Sequence, residues 1–254
     1  MKNIFLILVA FSFYSVAQAQ TKMTTTKTTK ETTAEPSATD RIQKQMSDSF
    51  KAADVALIES AQIRTIRDSG ILLNYSPIDL LIPNKLGASF YFSSSDKLNQ
   101  YEFQYLRSIL SAKLQNIDIA SMTEQKFSFI NRHFSSGSNF NWYYGLSYAT
   151  LEVQLGDDYL NSVPASSRQD ADALKVHVLA LDLGIGNRWY FENGFTLGFD
   201  WLGITQPVST IKKEENFTKY SNNQSEKDDI NKFLNFTSTF PRLYVLKFQL
   251  GYSF

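Results

Sequence analysis

Long segments of this chain alternate strictly between large apolar side chains and small or polar ones. In the closing segment, every second residue from Phe254 back to Tyr244 is aromatic or leucine, whereas the residues between them include Gln249 and Lys247. A period of two places the two sets on opposite faces of a β-strand. The alternation returns in five further segments, which are LGASFYF (86–92), YEFQY (101–105), NFNWYYGLSYAT (139–150), LALDLGIGNRW (179–189) and GFTLGFDWLG (194–203).

Such strands belong either to a half-buried sheet of a soluble protein or to a barrel in a membrane. Glycines and charged residues occupy the polar face here, which suits the crowded interior of a narrow barrel better than a soluble core. In hydrocarbon, an unpaired backbone amide or carbonyl costs several kcal/mol, so that only helices and closed barrels span a membrane. The sequence beyond the N-terminus offers no apolar run long enough for a helix to do so.

The connections between the strands favour an up-and-down barrel. Short turns are expected at 93–97, 135–138 and 192–194, and long connections at 111–120, 156–171 and 206–240. Bacterial outer-membrane barrels alternate short and long connections in this way and have an even number of strands. With a first strand at 71–76, we predict an all-β transmembrane fold, an antiparallel up-and-down β-barrel of about eight strands, over residues 69–254.

The N-terminus has the features of a secretory signal peptide. Lys2 is followed by an apolar run from Ile4 to Tyr14 and by Ala17-Gln18-Ala19, an A-x-A cleavage site. We therefore expect a signal peptide at 1–19. The alternative is a membrane anchor, but the apolar run is shorter than the roughly 20 residues that a spanning helix needs.

Two further segments precede the barrel. Residues 20–39 are rich in Thr and Lys and poor in apolar groups, so they predict a disordered linker. Residues 40–68 predict an amphipathic helix, which is either packed on its own protein or used for self-association or for binding a periplasmic partner. Its apolar stripe recurs at steps of three and four and consists of Ile42, Met46, Phe50, Ala53, Leu57 and Ala61.

The end of the chain resembles the C-terminal β-signal of bacterial outer-membrane proteins, which closes on an aromatic residue with apolar residues at alternate positions. Leu250, Tyr252 and Phe254 match that pattern. The resemblance implies that the barrel assembly machinery recognises these residues. Together, the signal peptide, the alternating strands and this ending resemble the small, eight-stranded outer-membrane barrels. That family resemblance implies an outer-membrane location with a periplasmic N-terminus and contact with outer-membrane lipids.

Six charged residues fall on faces that we assign to the barrel interior. An eight-stranded barrel is just wide enough for side chains to fill it, and charges inside it must be compensated. We interpret the set as a plug of salt bridges, with a narrow ion path as the alternative. The six residues are Glu102, Arg132, Asp182, Arg188, Asp200 and Lys247.

Enzymatic chemistry has weak support. Some eight-stranded outer-membrane barrels are lipid A deacylases that use a His and a Ser two residues later, and this chain has His133 and Ser135. The predicted topology puts that pair at a periplasmic turn, on the wrong side for the outer leaflet. His177 lies near the external rim but lacks a Ser at that spacing. We expect no catalytic residues, with a lipid-modifying enzyme as the remaining alternative.

Composition excludes several other classes. The chain has no Cys and only two His, which are far apart, so we expect neither a metal site nor a cofactor. Its formal net charge is zero, so a nucleic-acid partner is not expected. The charged connection at 206–240 predicts a mobile external loop, with a surface-contact loop as the alternative. The function hypotheses are a structural or surface-interaction barrel, a porin-like channel for ions or small solutes, and a lipid-modifying enzyme.

Overall fold

The computed structural model describes residues 47–49, 55, 58–110, 119–155, 161, 163–167 and 173–254. The chain forms two compact units, Met1–Ser47 and Asp48–Phe254. The predicted signal peptide and linker lie outside the described residues, as does most of the predicted apolar stripe of 40–68. Of that stripe only Ala61 is described, and it is buried in a helix.

The described part of the second unit contains nine strands and three α-helices, besides helical residues at 48–49 and 55 and one 3₁₀ turn. Helix α1 covers the described residues 58–66. The strands are β1 (Ser69–Ser76), β2 (Ile78–Asp79), β3 (Lys85–Ser93), β4 (Asn99–Leu110), β5 (Ile119–Phe134), β6 (Phe140–Leu155), β7 (Ala173–Tyr190), β8 (Phe195–Glu214) and β9 (Arg242–Ser253). A 3₁₀ turn (Ala165–Ser167) precedes β7, and helices α2 (Phe217–Tyr220) and α3 (Gln224–Thr239) lie between β8 and β9.

The sheet closes into a ring of eight strands. Each strand from β3 to β9 pairs antiparallel with its neighbour in sequence, and β1 pairs with both β3 and β9. The two-residue β2 continues the line of β1 along β9, where Ile78 faces Val245. Closure pairs both edges of the strands around the ring, whereas β8 beyond Thr205 pairs with β7 only. The predicted antiparallel up-and-down barrel of about eight strands is confirmed.

Burial alternates along the strands as the sequence pattern predicts. On β7, Leu181, Leu183 and Ile185 point outward and are 41–52% exposed, whereas Asp182 between them is 3% exposed. The parts of β3, β4, β6 and β8 that lie near the short turns alternate in a similar way. Over these segments, large apolar side chains therefore cover the outside of the barrel, and mostly polar residues lie inside it.

The outward assignment of Tyr244 is wrong. Leu246 has a φ of +62°, in the left-handed region, and it interrupts the alternation of β9. Lys247 and Tyr244 consequently both point inward although three positions separate them. On the neighbouring strand, Trp201 is an extra residue in the pairing with β7. Irregularities of this kind leave no period-two signature in the sequence.

The barrel has a short side and a tall side. Strands β1 and β3 have 8 and 9 residues, whereas β7 and β8 have 18 and 20. We call the end with the short turns the turn end and the opposite end the loop end. The tall wall, formed by β5 to β8, extends beyond the other strands at the loop end.

The predicted mobile loop at 206–240 is wrong in part. Residues up to Glu214 continue β8, and most of the remainder is helical. The N-terminus of α3 is capped by Asn223, whose side chain accepts a hydrogen bond from the Ser225 N–H. Apolar residues on α2 and α3 pack with the inward face of the tall wall into one core, which offsets the cost of ordering a charged segment. Its main members are Ile82, Leu151, Val153, Leu174, Val176, Val178, Phe217, Ile230 and Leu234.

Among the described residues, no helix combines the length and apolarity that crossing a membrane requires.

Candidate functional site

A connected layer of charges fills the interior of the barrel in its turn-end part. Glu102 accepts a hydrogen bond from Arg188 at 2.7 Å and lies 3.4 Å from the Arg132 Nε. Arg132 donates to both oxygens of Asp200, at 2.7 and 3.2 Å. Lys247 approaches the same carboxylate at 2.7 Å. These five side chains come from five different strands and are at most 1% exposed. Burial of this kind is tolerated only because each charge has an opposite partner.

Neutral groups hold the layer in place. Arg188 also donates to Gln249 and Gln100, at 2.8 and 3.1 Å. The guanidinium of Arg132 lies 4.7 Å from the centre of the Tyr143 ring, and that of Arg188 lies 5.1 Å from the centre of the Tyr91 ring. Cation–π contacts of this type are strongest where water is excluded. The layer is therefore a packed polar core.

Asp182 belongs to a neighbouring cluster. It accepts a hydrogen bond from Lys126 at 2.6 Å and another from the Thr205 hydroxyl. The Lys126 ammonium also contacts Thr205 at 2.6 Å. The structure thus brings together five of the six predicted interior charges and places Asp182 beside a lysine that was not among them.

A further charged cluster, which the sequence pattern did not predict, lies toward the loop end. Lys85 is 2.8 Å from both Asp79 and Glu124, and the Nε of Arg242 is 3.2 Å from Glu124. All four side chains are buried. Lys85 and Arg242 begin their strands, where too few residues precede them to set the alternation. Glu124 carried a usable signal, since it shares the period-two face of Arg132 on β5.

Two glycines make room for a pair of tyrosines in the lumen. The hydroxyls of Tyr143 and Tyr244 contact each other. A Cβ on Gly184 would lie 2.1 Å from the Tyr143 hydroxyl, and one on Gly203 would lie 2.2 Å from the Tyr244 ring. Any larger residue at these positions would displace the rings, so the glycines serve the interior packing.

Helix α1 covers the turn end of the barrel. The Ser60 hydroxyl donates to Asn139 at 3.1 Å and accepts from the Tyr190 N–H at 2.8 Å. Arg64 donates to the carbonyl of Lys97, and its guanidinium lies 4.3 Å from the centre of the Phe134 ring. Burial lowers the pKa of the Arg64 guanidinium from its ordinary value. The helix is thus fixed to several turns and strand ends around the opening.

The predicted assembly residues lie on the outer face. Leu250, Tyr252 and Phe254 are about half exposed. The backbone of Phe254 exchanges hydrogen bonds with Ser69, at 2.9 and 3.2 Å, and so extends the seam between the first and last strands. The structure therefore places the matched residues together, pointing away from the interior.

Neither histidine side chain belongs to the charged layer. His133 lies at the turn end, where its ring contacts Asn99 at 3.0 Å. His177 points outward near the loop end and contacts Tyr148 at 2.7 Å and Thr150 at 3.2 Å. Among the described residues, no group of three His, Cys, Asp or Glu side chains could hold a metal ion.

Comparison with known proteins adds little. No family model matches the chain, and no curated protein matches it either. The crystal structure of Neisserial surface protein A is similar in part, with 12% sequence identity and a TM-score of 0.39, over 74% of this chain and 95% of that one. A similarity at that level assigns no function, so the interpretation rests on the chain's own geometry.

Proposed function

We propose that this chain is an integral outer-membrane β-barrel protein with a lumen filled by side chains and a structural or surface-interaction role. The observation that carries the proposal is a reversal of polarity along the strands: toward the turn end the outward face is apolar, and toward the loop end the inward face is apolar. Between Trp142 and Tyr148 on β6, the outward residues are aromatic or leucine, and the inward ones are Tyr143, Gly145 and Ser147. From Ala149 onward the inward residues are apolar, and the outward ones are polar.

The reversal fits a membrane around the turn-end part only. Outward apolar residues on β7 extend from Leu179 to Trp189, with Asn187 as the one polar member of that face, and define a band of about 33 Å along the strand at ~3.3 Å per residue. A strand tilt of about 35–45° reduces this length to a height of about 25 Å. Apolar bands of barrels in the outer membrane are about 25 Å tall. Beyond the band, Thr150 and His177 face outward while Leu151 and Val178 are buried, which is the polarity of a protein in water.

The contacts in the interior favour a closed barrel over a channel. The central acids and bases are paired with one another, and helix α1 is fixed across the turn end by Ser60 and Arg64. At the loop end, α3 packs on the apolar core. An ion would have to pass all three layers, so we propose a non-conducting resting state.

Orientation and assembly are part of the same proposal. Placing the turn end in the periplasm puts α1 and the N-terminus on that side and the tall wall outside the cell. Leu250, Tyr252 and Phe254 would then be recognised by the assembly machinery at the periplasmic side. We propose no enzymatic activity and no cofactor.

Two measurements test the proposal together. The folded protein should migrate differently on a gel when it is not boiled, and it should give no discrete conductance steps in a planar bilayer. A protein that remains soluble without detergent contradicts the membrane assignment. Discrete openings that change in Asp200→Asn would instead favour the channel, because Asp200 joins Arg132 and Lys247 across the lumen.

A further inference from the structure

One row of outward polar residues crosses five adjacent strands at the loop-end limit of the apolar band. Each residue is the direct register partner of the next, from β4 to β8. All five side chains point to the outside of the barrel. We call this set the polar row; it consists of Arg107, Gln125, Thr150, His177 and Lys212.

The polar row lies directly above a row of rings. Two residues nearer the turn end on the same strands are Tyr105, Phe127, Tyr148 and Leu179, which are also register partners. The rings of Tyr105 and Phe127 are 4.7 Å apart, and Tyr148 stacks on His177 at 6.0 Å. Tyrosines are enriched where the hydrocarbon of a membrane meets the headgroups. The polar row therefore lies at the headgroup level of the proposed membrane.

Arginine and lysine outnumber carboxylates at this level by three to two among the described residues. Arg107 and Lys212 belong to the polar row, and Lys175 follows His177 on the outer face of β7. Glu152 lies 3.3 Å from Lys175. Glu214 pairs with Lys212 and lies 3.9 Å from the His177 ring. Among the described residues, no carboxylate lies within ion-pair distance of Arg107.

The two lysine pairs do not prevent binding of a second anion. Lys175 and Lys212 are 37% and 63% exposed in their side chains, and such surface pairs are weak. Phosphates at the headgroup level can share these ammonium groups on β7 and β8. A separate phosphate can bind the guanidinium of Arg107 on β4, whose planar donors match phosphate oxygens.

The opposite side of the barrel lacks this feature. On β1, β3 and β9, the outward residues toward the loop end include Tyr75, Leu86 and Leu243, and the basic residues Lys85 and Arg242 point inward. The basic level is thus confined to the side on which the tall wall rises.

We propose that this side of the barrel binds the phosphate groups of anionic lipids through Arg107, Lys175 and Lys212. The inference rests on the proposed membrane location and adds a preferred lipid class and a preferred side. The occupant is a membrane lipid, because only a headgroup anchored in the bilayer meets the rings and the basic groups at once.

Lipid retention measured by native mass spectrometry tests the proposal. The full chain is reconstituted in phosphatidylcholine containing a minor fraction of phosphatidylglycerol, released into detergent, and examined for bound lipids. We expect phosphatidylglycerol to be retained in excess of its fraction. In the triple variant R107Q/K175Q/K212Q, the enrichment of phosphatidylglycerol over its fraction in the membrane should fall about tenfold, since each basic group near an anionic surface contributes to binding. The control K219Q/K227Q/K232Q removes three lysines of α2 and α3 and should retain the preference.

The outcomes separate the two proposals. If the wild-type chain does not enter the membrane, the proposed function fails. If it enters but shows no preference for phosphatidylglycerol, or if both triple variants behave alike, the lipid site is wrong and the barrel stands. Displacement of the lipid by millimolar inorganic phosphate at constant ionic strength would show that the bilayer anchor is unnecessary, which also overturns the lipid as occupant.

Discussion

The two halves of this barrel have opposite arrangements of polar and apolar residues on the same strands. In the turn-end half, Arg132 and Asp200 are buried while rings such as Phe129 are exposed. In the loop-end half, Leu151 and Val176 are buried while Glu152 and Lys175 face outward. Along β7 the change takes place between His177 and Leu179. The hydrophobic effect acts on both halves, and the proposed membrane accounts for the difference, with lipid outside the turn-end half and water outside the loop-end half.

The comparison teaches that each half is stabilised differently. The turn-end half depends on paired charges, because its interior is filled by buried charged groups that need opposite partners. The loop-end half depends on a packed apolar core, as a water-soluble domain does. Substitutions that look alike in the sequence should therefore have different costs in the two halves.

The largest effect is expected from Glu102→Leu. The substitution leaves Arg188 and Arg132 buried with fewer counter-charges, and removing one partner of a buried pair costs about 3–5 kcal/mol. Urea unfolding in detergent, followed on unboiled gels, measures the loss. The control is Glu152→Leu, which removes an exposed partner of Lys175 and should cost less than about 1 kcal/mol. Equal losses would show that the interior layer is not stabilised by charge pairing.

A large but smaller effect is expected from Leu151→Ala in the loop-end core. Leu151 is 1% exposed and packs in the core shared with α3. Creating a cavity there should cost about 2–5 kcal/mol by the same unfolding measurement. The neighbouring change Thr150→Ala on the outer face should be close to neutral. If Leu151→Ala were as close to neutral as Thr150→Ala, the tall wall and α3 would not form a packed core.

Lysine scanning of the outer face measures where the two halves meet. Leu181→Lys lies in the apolar band and should cost about 2–4 kcal/mol, whereas Thr150→Lys lies beyond it and should cost about 0–1 kcal/mol. Unfolding in lipid vesicles gives both values. If the two lysines cost the same, the membrane does not end between these rows.

The smallest effect is expected from Ser60→Ala, which loosens α1 at the turn end. It removes the acceptor of the Tyr190 N–H and the donor to Asn139, a cost of about 1–3 kcal/mol when a buried group is left unpaired. Protease cleavage of the helix in the folded protein should become faster. Thr65→Ala is the control, since Thr65 is exposed and its hydroxyl donates to the Gln62 carbonyl of its own helix. Unchanged cleavage of Ser60→Ala would argue that the helix is held by other contacts.

The barrel was predictable because one period-two pattern encodes both faces of each strand. Asp182 and Asp200 could be assigned to the interior since each lies between two large apolar residues. The loop-end core was not predictable in the same way. Valines and leucines at 174–178 alternate with His177 and Lys175, and such a strand reads equally well in either orientation. The inward position of Tyr244 depends on the irregular backbone at Leu246. Helix α3 packs on the tall wall through residues that are distant in the sequence, so its position left no local signal.

A scan of accessibility along β7 tests the central claim most directly. The chain has no Cys, so a single cysteine at each position from 175 to 186 can carry a spin label in the reconstituted protein. Labels at 181, 183 and 185 should collide with oxygen dissolved in the bilayer, those at 175 and 177 with a water-soluble nickel complex, and those at 178 and 182 with neither. Access of the nickel complex to 181–185 would contradict the reversal of polarity and the membrane barrel inferred from it.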